Sequence, residues 1–472
     1  MTDLDLCYMP ATDLAANIRA GELSSVDAVT NSLARIEAVN PTLNCFCFTY
    51  PEEALDRARA VDADIAAGKD VGPLAGVPIA IKDFTPTKGK VTTRGSKLLK
   101  DWVPDYDSVL VERLMAADAI MVGKTTTPEF AFSSFTRSPL WGATGNPWAP
   151  DRCAGGSSGG SGAAVASGCV PLAEGTDMGG SVRIPAALCG IVGLKPSLGR
   201  LPMDIVGTVF DNISHFGPLA RTIDDAALFT DVCQGITPAD IQSLPACDLP
   251  IPTPGDVRGL RIGLSVDLGF YAVEPGVEAN LRAAAQALRE AGAIVEEVDL
   301  GWDARMPDLW MKTWEVYLAA AFRAHFGDRF EELRGELDPD VAAIMERGFG
   351  HDAVSARSWE FERTRYWHKL AAVLEDHHAL LCPTMARVAP PNDSNDAEFE
   401  QLDADGKLRG LDMTSVFNYV AQCPALSVPS GFSDGLPTAA QIVARKWDDP
   451  LALRIGRAIE QALPWAGERP AV

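Results

Sequence analysis

Two glycine-rich clusters set close together constrain this chain more than any other feature. Ala154-Gly155-Gly156-Ser157-Ser158-Gly159-Gly160-Ser161-Gly162 comes first, and Gly175-Thr176-Asp177-Met178-Gly179-Gly180-Ser181-Val182-Arg183 follows. Glycine lets a backbone turn sharply and approach a ligand closely. A flexible linker has a similar composition. Against a linker, residues 163–166 continue at once as an apolar helical run, and residues 170–173 read as a buried strand. The clusters belong to folded structure.

Two familiar loop chemistries fit them poorly. Gly155 and Gly160 have the glycine spacing of a phosphate-binding loop, but Ser161-Gly162 stands where lysine and a hydroxyl residue are required. A glycine-rich turn into a helix still makes an anion nest. The nucleophile elbow G-x-S-x-G matches at Ser157 and at Ser158, yet it needs a buried strand just before the serine and a late histidine. Residues 146–152 are polar and broken by proline, and His377 and His378 precede a strand instead of following one. A hydrolase without a well-placed histidine needs another base. A lysine held neutral by burial serves, because desolvation disfavours its charge. Lys82 ends the apolar run Gly76-Val77-Pro78-Ile79-Ala80-Ile81. Taken alone, a lysine there is more often a solvated surface residue, since lysine is rarely buried.

Around the clusters the hydrophobic pattern alternates between helix and strand periods. Ser24-Ser25 caps a run with Val26, Val29, Leu33 and Ile36 at helical spacing, which Asn40-Pro41 is expected to end. Residues 45–50 read as a strand, and Pro51-Glu52-Glu53 opens another helix. Helices over 108–117, 277–290 and 451–463 interleave with strands at 119–122, 260–264, 294–298, 380–382 and 439–443. Such alternation predicts an α/β fold, a central sheet covered by helices on both faces. Residues 243–254, rich in proline and aspartate, are the best linker candidate, read here as a surface loop within one domain over 1–472. Within it lie a helical region (1–70), a core carrying the clusters (71–235) and a second half (255–472). Residues 391–408, rich in Asp and Asn, read as a solvated loop.

Formal net charge is −23, which repels phosphate backbones and argues against a nucleic-acid partner. The ten cysteines form no CxxC pair and read as free thiols of a reducing cytosol. MTDLDLCYMP lacks a basic n-region, and no run reaches the apolar length of a membrane span. The expectation is a cytoplasmic protein without a membrane partner. No HExxH or clustered ligand set suggests a metal.

Six segments in one order resemble the amidase signature family of serine hydrolases, notably bacterial amidases and aryl acylamidases. They are residues 76–83, Gly123-Lys124-Thr125, 141–148, 155–161, 175–183 and 190–196. The resemblance implies a fold with a large central mixed sheet, no cofactor, and a monomer or homodimer. It implies Ser181 as the nucleophile, Ser157 as the serine whose hydroxyl relays a proton and whose Gly156–Ser157 peptide is cis, and Lys82 as the base. The backbone N–H groups of Met178, Gly179, Gly180 and Ser181 would form the oxyanion hole, with Asp177 and Arg183 in support. A Ser–Ser–Lys relay suits amide cleavage, because the proton taken from the nucleophile must reach a poor leaving amine. By the same resemblance Phe132 and Ser133, in Phe130-Ala131-Phe132-Ser133-Ser134-Phe135, line the acyl pocket. An apolar or aryl amide, an anilide or an aryl carbamate would fit. Core packing explains the same phenylalanines equally well. Trp302, Trp310, Trp314, Trp359 and Trp367 are candidates for an apolar entrance. The alternative is the glutaminase component of a tRNA-dependent amidotransferase, disfavoured by the absence of a charged pair assignable to free glutamine.

Overall fold

The computed structural model describes residues 2–472. At its centre is an eleven-stranded sheet, here numbered along the chain. The strands are β1 Phe46–Thr49, β2 Pro78–Lys82, β3 Ile120–Thr125, β4 Leu172–Asp177, β5 Val192–Lys195 and β6 His215–Ala220. β7 Arg261–Leu264, β8 Ile294–Glu297, β9 Ala379–Pro383, β10 Ala425–Ser433 and β11 Leu436–Ala444 complete it. Their spatial order is β1-β3-β2-β4-β6-β5-β10-β11-β9-β7-β8. β2 runs parallel to β3 and β4, and β7 runs parallel to β8 and β9, while the remaining neighbours are antiparallel. This is the central sheet of an α/β fold that the alternation predicts, mixed as the resemblance implies. β5 pairs with β10, so strands on either side of residues 243–254 share the sheet.

Strand alternation decides which side each residue serves. Ile79 and Ile81 of β2 enter one apolar cluster with Leu14, Leu110, Phe229, Leu281 and Leu453. Ala80 enters the opposite cluster with Val29, Val61, Ala163 and Ala173. By the same period Lys82 follows Ala80, towards the side where the helix Gly159–Ala166 packs. Three further helices, Arg305–Phe326, Pro339–Gly350 and Ala353–Asp376, form a block beside the sheet. No helix of the described residues is long and apolar enough to cross a membrane.

The first long helix departs from expectation at its end. Ser24 caps it, its hydroxyl accepting the Asp27 N–H, but the helix runs on through Pro41 to Leu43. Proline this close to a C-terminus removes little helical hydrogen bonding. Asn44 in the left-handed region closes the helix, and Asn40 Oδ1 accepts the N–H groups of Cys45 and Phe46, which turns the chain into β1.

Candidate active site

Lys82 is fully buried at the end of β2. Its Nζ lies 2.7 Å from Ser157 Oγ, 2.9 Å from Ser158 Oγ and 2.9 Å from Thr176 Oγ1. Three hydroxyls solvate the amine, and among the described residues no carboxylate lies within ion-pair distance of it. Burial pulls its proton affinity down, to about 7, against the opposing charges of Glu174 and Asp177. A neutral amine carries one lone pair, so one of these hydroxyls can turn its proton onto Nζ.

Glycine makes the serine loop possible. Gly155 has φ +84°, and a Cβ on Gly156 would collide with the Ser133 carbonyl oxygen. Thr136 ties the turn from below, donating to Gly155 O at 2.8 Å and accepting the Gly159 N–H at 2.9 Å. The Gly156–Ser157 peptide is cis. The Ser158 N–H donates to Ser181 O at 3.1 Å, which joins the two glycine-rich clusters. Ser157 is fully buried, whereas Ser181 is partly exposed on the wall of a cavity of about 520 Å³. His215 is a buried histidine that contacts Asp177. Burial pushes it down to about 3, and its ring meets only the Asp177 and Ala421 carbonyls, not a serine.

Asp177 and Arg183 form a fully buried ion pair at 2.8 Å. Burial alone would raise the Asp177 carboxyl, but the Arg183 charge and hydrogen bonds hold it below the usual carboxylate range. Arg183 also donates to Thr414 O, Gln441 Oε1 and Asn418 Oδ1, clamping the loop from strands and turns distant in sequence. Of the four expected oxyanion donors, the Gly180 N–H donates to Asp177 Oδ1 at 2.9 Å. Among the described residues no acceptor engages the N–H groups of Met178, Gly179 or Ser181. Gly180 is also required sterically: its φ is +128°, and a Cβ would collide with Thr414 Oγ1.

Trp310 lies over this loop, its Nε1 donating to Met178 O at 3.0 Å. A Cβ on Gly179 would collide with the Trp310 ring at Cζ2. Gly179→Ala should therefore displace the indole or the loop. The expected outcome is a fall in kcat of roughly 100- to 1000-fold, the range for losing one oxyanion donor, with the thermal midpoint shifted little. Steady-state kinetics beside a melting curve tests this.

Phe132 and Ser133 both line the cavity, while Phe130 packs edge-on against Phe326 and Phe135 stacks on Phe399. Pocket and core readings of this segment each hold for part of it. Phe130, Ala131 and Ser133 have φ of 51°, 59° and 117°, the left-handed region that non-glycine residues avoid. Of the five tryptophans, Trp310 and Trp314 line the cavity, Trp302 and Trp359 are buried in the core, and Trp367 lies at a separate surface groove.

The segment expected as a solvated loop, 391–408, is largely exposed, and it also contributes Asp396, Phe399, Glu400, Leu402 and Leu408 to the cavity wall. Ser133 Oγ donates to Asp396 Oδ2 at 2.5 Å and Ser134 N–H to Oδ1 at 3.2 Å. Burial raises the Asp396 carboxyl to about 6. Nothing in the local sequence distinguishes Asp396 from its acidic neighbours, since its partners lie far away along the chain. Arg347 also reaches the cavity, bound to Glu315 at 2.5 Å.

The Amidase family model matches residues 27–453. The chain is 36% identical to one component of the glutamyl-tRNA(Gln) amidotransferase of Chloroflexus aurantiacus, over 99% of each chain. It is also 36% identical to an acylamidase of Rhodococcus erythropolis, over 100% of this chain and 99% of the relative. A solved bacterial aryl acylamidase of the amidase signature enzymes superposes with a TM-score of 0.91 at 31% identity, covering 97% of each chain. Matches of this length and quality, on a sheet of the same class, show that the chain belongs to the amidase signature family of enzymes.

Proposed function

We propose that the chain is an amidase cleaving the carbon–nitrogen bond of an apolar or aryl amide or anilide through an acyl-enzyme on Ser181. One observation carries the reading: a buried Lys82 Nζ stands 2.7 Å from Ser157 Oγ, behind a cavity wall on which Ser181 is exposed. Ser181 Oγ attacks the carbonyl carbon while its proton passes through the Ser157 hydroxyl to Lys82. The N–H groups of Met178, Gly179 and Ser181 face the oxyanion that forms. As the tetrahedral adduct collapses, Lys82 returns the proton through Ser157 to the departing nitrogen, and the amine leaves. Water then attacks the Ser181 ester while the same relay accepts its proton, and collapse of the adduct breaks the acyl–Oγ bond, returns that proton to Ser181 Oγ and releases the acid.

Phe132, Met178, Trp310, Met311, Trp314 and Leu411 make the cavity apolar near Ser181, which supports an aryl or apolar substituent. Aryl carbamates present a similar carbonyl and leaving amine, and belong to the same substrate class. The test is a panel of nitroanilides, primary amides and aryl carbamates on the purified chain, with Ser181→Ala as control. Turnover of primary aliphatic amides alone would overturn the aryl assignment.

The mechanism needs Lys82 neutral. With its proton affinity lowered to about 7, kcat/KM should climb roughly tenfold per pH unit below neutrality and level off above it. A rate profile peaking near about pH 5 would defeat the lysine base.

A glutaminase within an amidotransferase complex is the second reading, and one observation favours it. The cavity holds both Arg347 and Asp412, a cation and a carboxylate of the kinds a free amino acid needs. Both have partners already, Arg347 with Glu315 and Asp412 with Thr414 Oγ1 at 2.6 Å. Hydrolysis of an aryl amide by the purified chain alone rejects this second reading. Turnover of glutamine only in the presence of partner proteins establishes it.

A further inference from the structure

The relay leaves one buried titratable group beside the base without a role. Glu174 lies on β4 and is fully buried. Its Oε2 accepts the backbone N–H of Lys82 at 2.9 Å, and its Oε1 accepts the Thr85 hydroxyl at 3.0 Å. Among the described residues no cation lies within ion-pair distance of Glu174, unlike the buried Asp177 and Asp449, which pair with Arg183 and Arg200. A buried carboxylate held by only two hydrogen bonds is costly to keep charged. Burial accordingly raises Glu174 and lowers Lys82, and the charge of each opposes the shift of the other.

We propose that Glu174 is a positioning residue for Lys82. It fixes the end of β2 through the Lys82 N–H, and its charge governs when the buried amine can hold a proton. The assignment rests on the Ser–Ser–Lys reading above. The other charges facing this spot are Asp177 on the same strand, Asp83 next to Lys82, and Lys124 from β3, whose Nζ donates to Thr85 O at 3.0 Å. Lys124 and Asp83 lie 3.9 Å apart and largely offset each other. Glu174 is thus the carboxylate near Lys82 that no cation balances. A glutamate that serves only packing would affect stability and the rate at every pH alike. A glutamate that tunes the base moves the position of the acid limb.

The experiment is the pH dependence of kcat/KM for the purified full chain with the best aryl amide. Glu174→Gln keeps the shape and a hydrogen-bond acceptor while removing the charge. Its acid limb should move about one pH unit lower, the smaller end of what an opposite neighbouring charge supplies. One unit below the original limb, its relative rate should then exceed wild type by roughly fivefold to tenfold, with KM on the alkaline plateau unchanged. Glu174→Asp should return the limb towards wild type. Should Glu174→Gln fail to fold, Thr85→Val removes only the Oε1 bond, disfavours the charged carboxylate, and should shift the limb in the same direction. A limb that stays in place in Glu174→Gln, or in Thr85→Val where that is the variant available, overturns the proposal. Failure of the underlying reading looks different: Lys82→Met would retain wild-type acylation.

Discussion

If Ser181 is the nucleophile proposed above, Ser181→Ala should remove labelling by an activated acyl ester and lower kcat/KM for an aryl amide by roughly 10⁴- to 10⁶-fold, as loss of a nucleophile does in serine hydrolases. Lys82→Met costs a comparable amount, because without a base neither the attack nor the protonation of the leaving nitrogen proceeds. The longer side chain of Met is chosen over Ala to fill the buried site, leaving the Ser157, Ser158 and Thr176 hydroxyls without their amine. The double variant should be little worse than either single one, since the residues act as a unit. Undiminished acylation of the Ser181 variant, with circular dichroism showing it folded, would place the nucleophile elsewhere.

Arg183→Met has the largest expected effect on stability. The guanidinium is fully buried and serves both oxygens of Asp177, together with Thr414 O, Gln441 Oε1 and Asn418 Oδ1. Removing it leaves a buried carboxylate and three other acceptors short of donors. Breaking one side of a buried pair destabilises by about 3–5 kcal/mol. Chemical denaturation should show a midpoint lowered accordingly, and the surviving folded fraction should have reduced kcat, because Asp177 holds the Gly180 and Val182 N–H groups in place. A midpoint within experimental error of wild type would mean that the loop is held by other contacts.

Much of this site was legible in the residues because its parts are local. Glycine at 155, 156, 179 and 180 reports backbone approach, and each position indeed has another atom where a Cβ would sit. The β-branched run ending at Lys82 reports a buried strand, and β2 is buried throughout. The resemblance then named Lys82, Ser157 and Ser181 together, and the structure places the first two in contact and ties the third to Ser158. What escaped depends on partners distant in the chain. The Asp177 carboxylate that accepts the Gly180 N–H is itself held by Arg183 and Asn418. Asp396 looked like one acid among many in a polar loop, yet it binds residues 133 and 134 and helps close the cavity. Glu174 reads as an ordinary strand residue, and only the pairing of β2 with β4 sets its carboxylate against the Lys82 backbone.

By itself, then, the sequence determined the fold class and marked out the two glycine-rich loops, while the kind of chemistry was implied by the resemblance of six segments to one family. Fold class and loops follow from periodicity and glycine content, which act over a few residues. Tertiary structure alone decided whether Lys82 is solvated or buried, which N–H groups are free, and what shapes the substrate cavity. Each of these depends on solvent exclusion and hydrogen-bond partners supplied by segments tens to hundreds of residues away, and no local pattern encodes them.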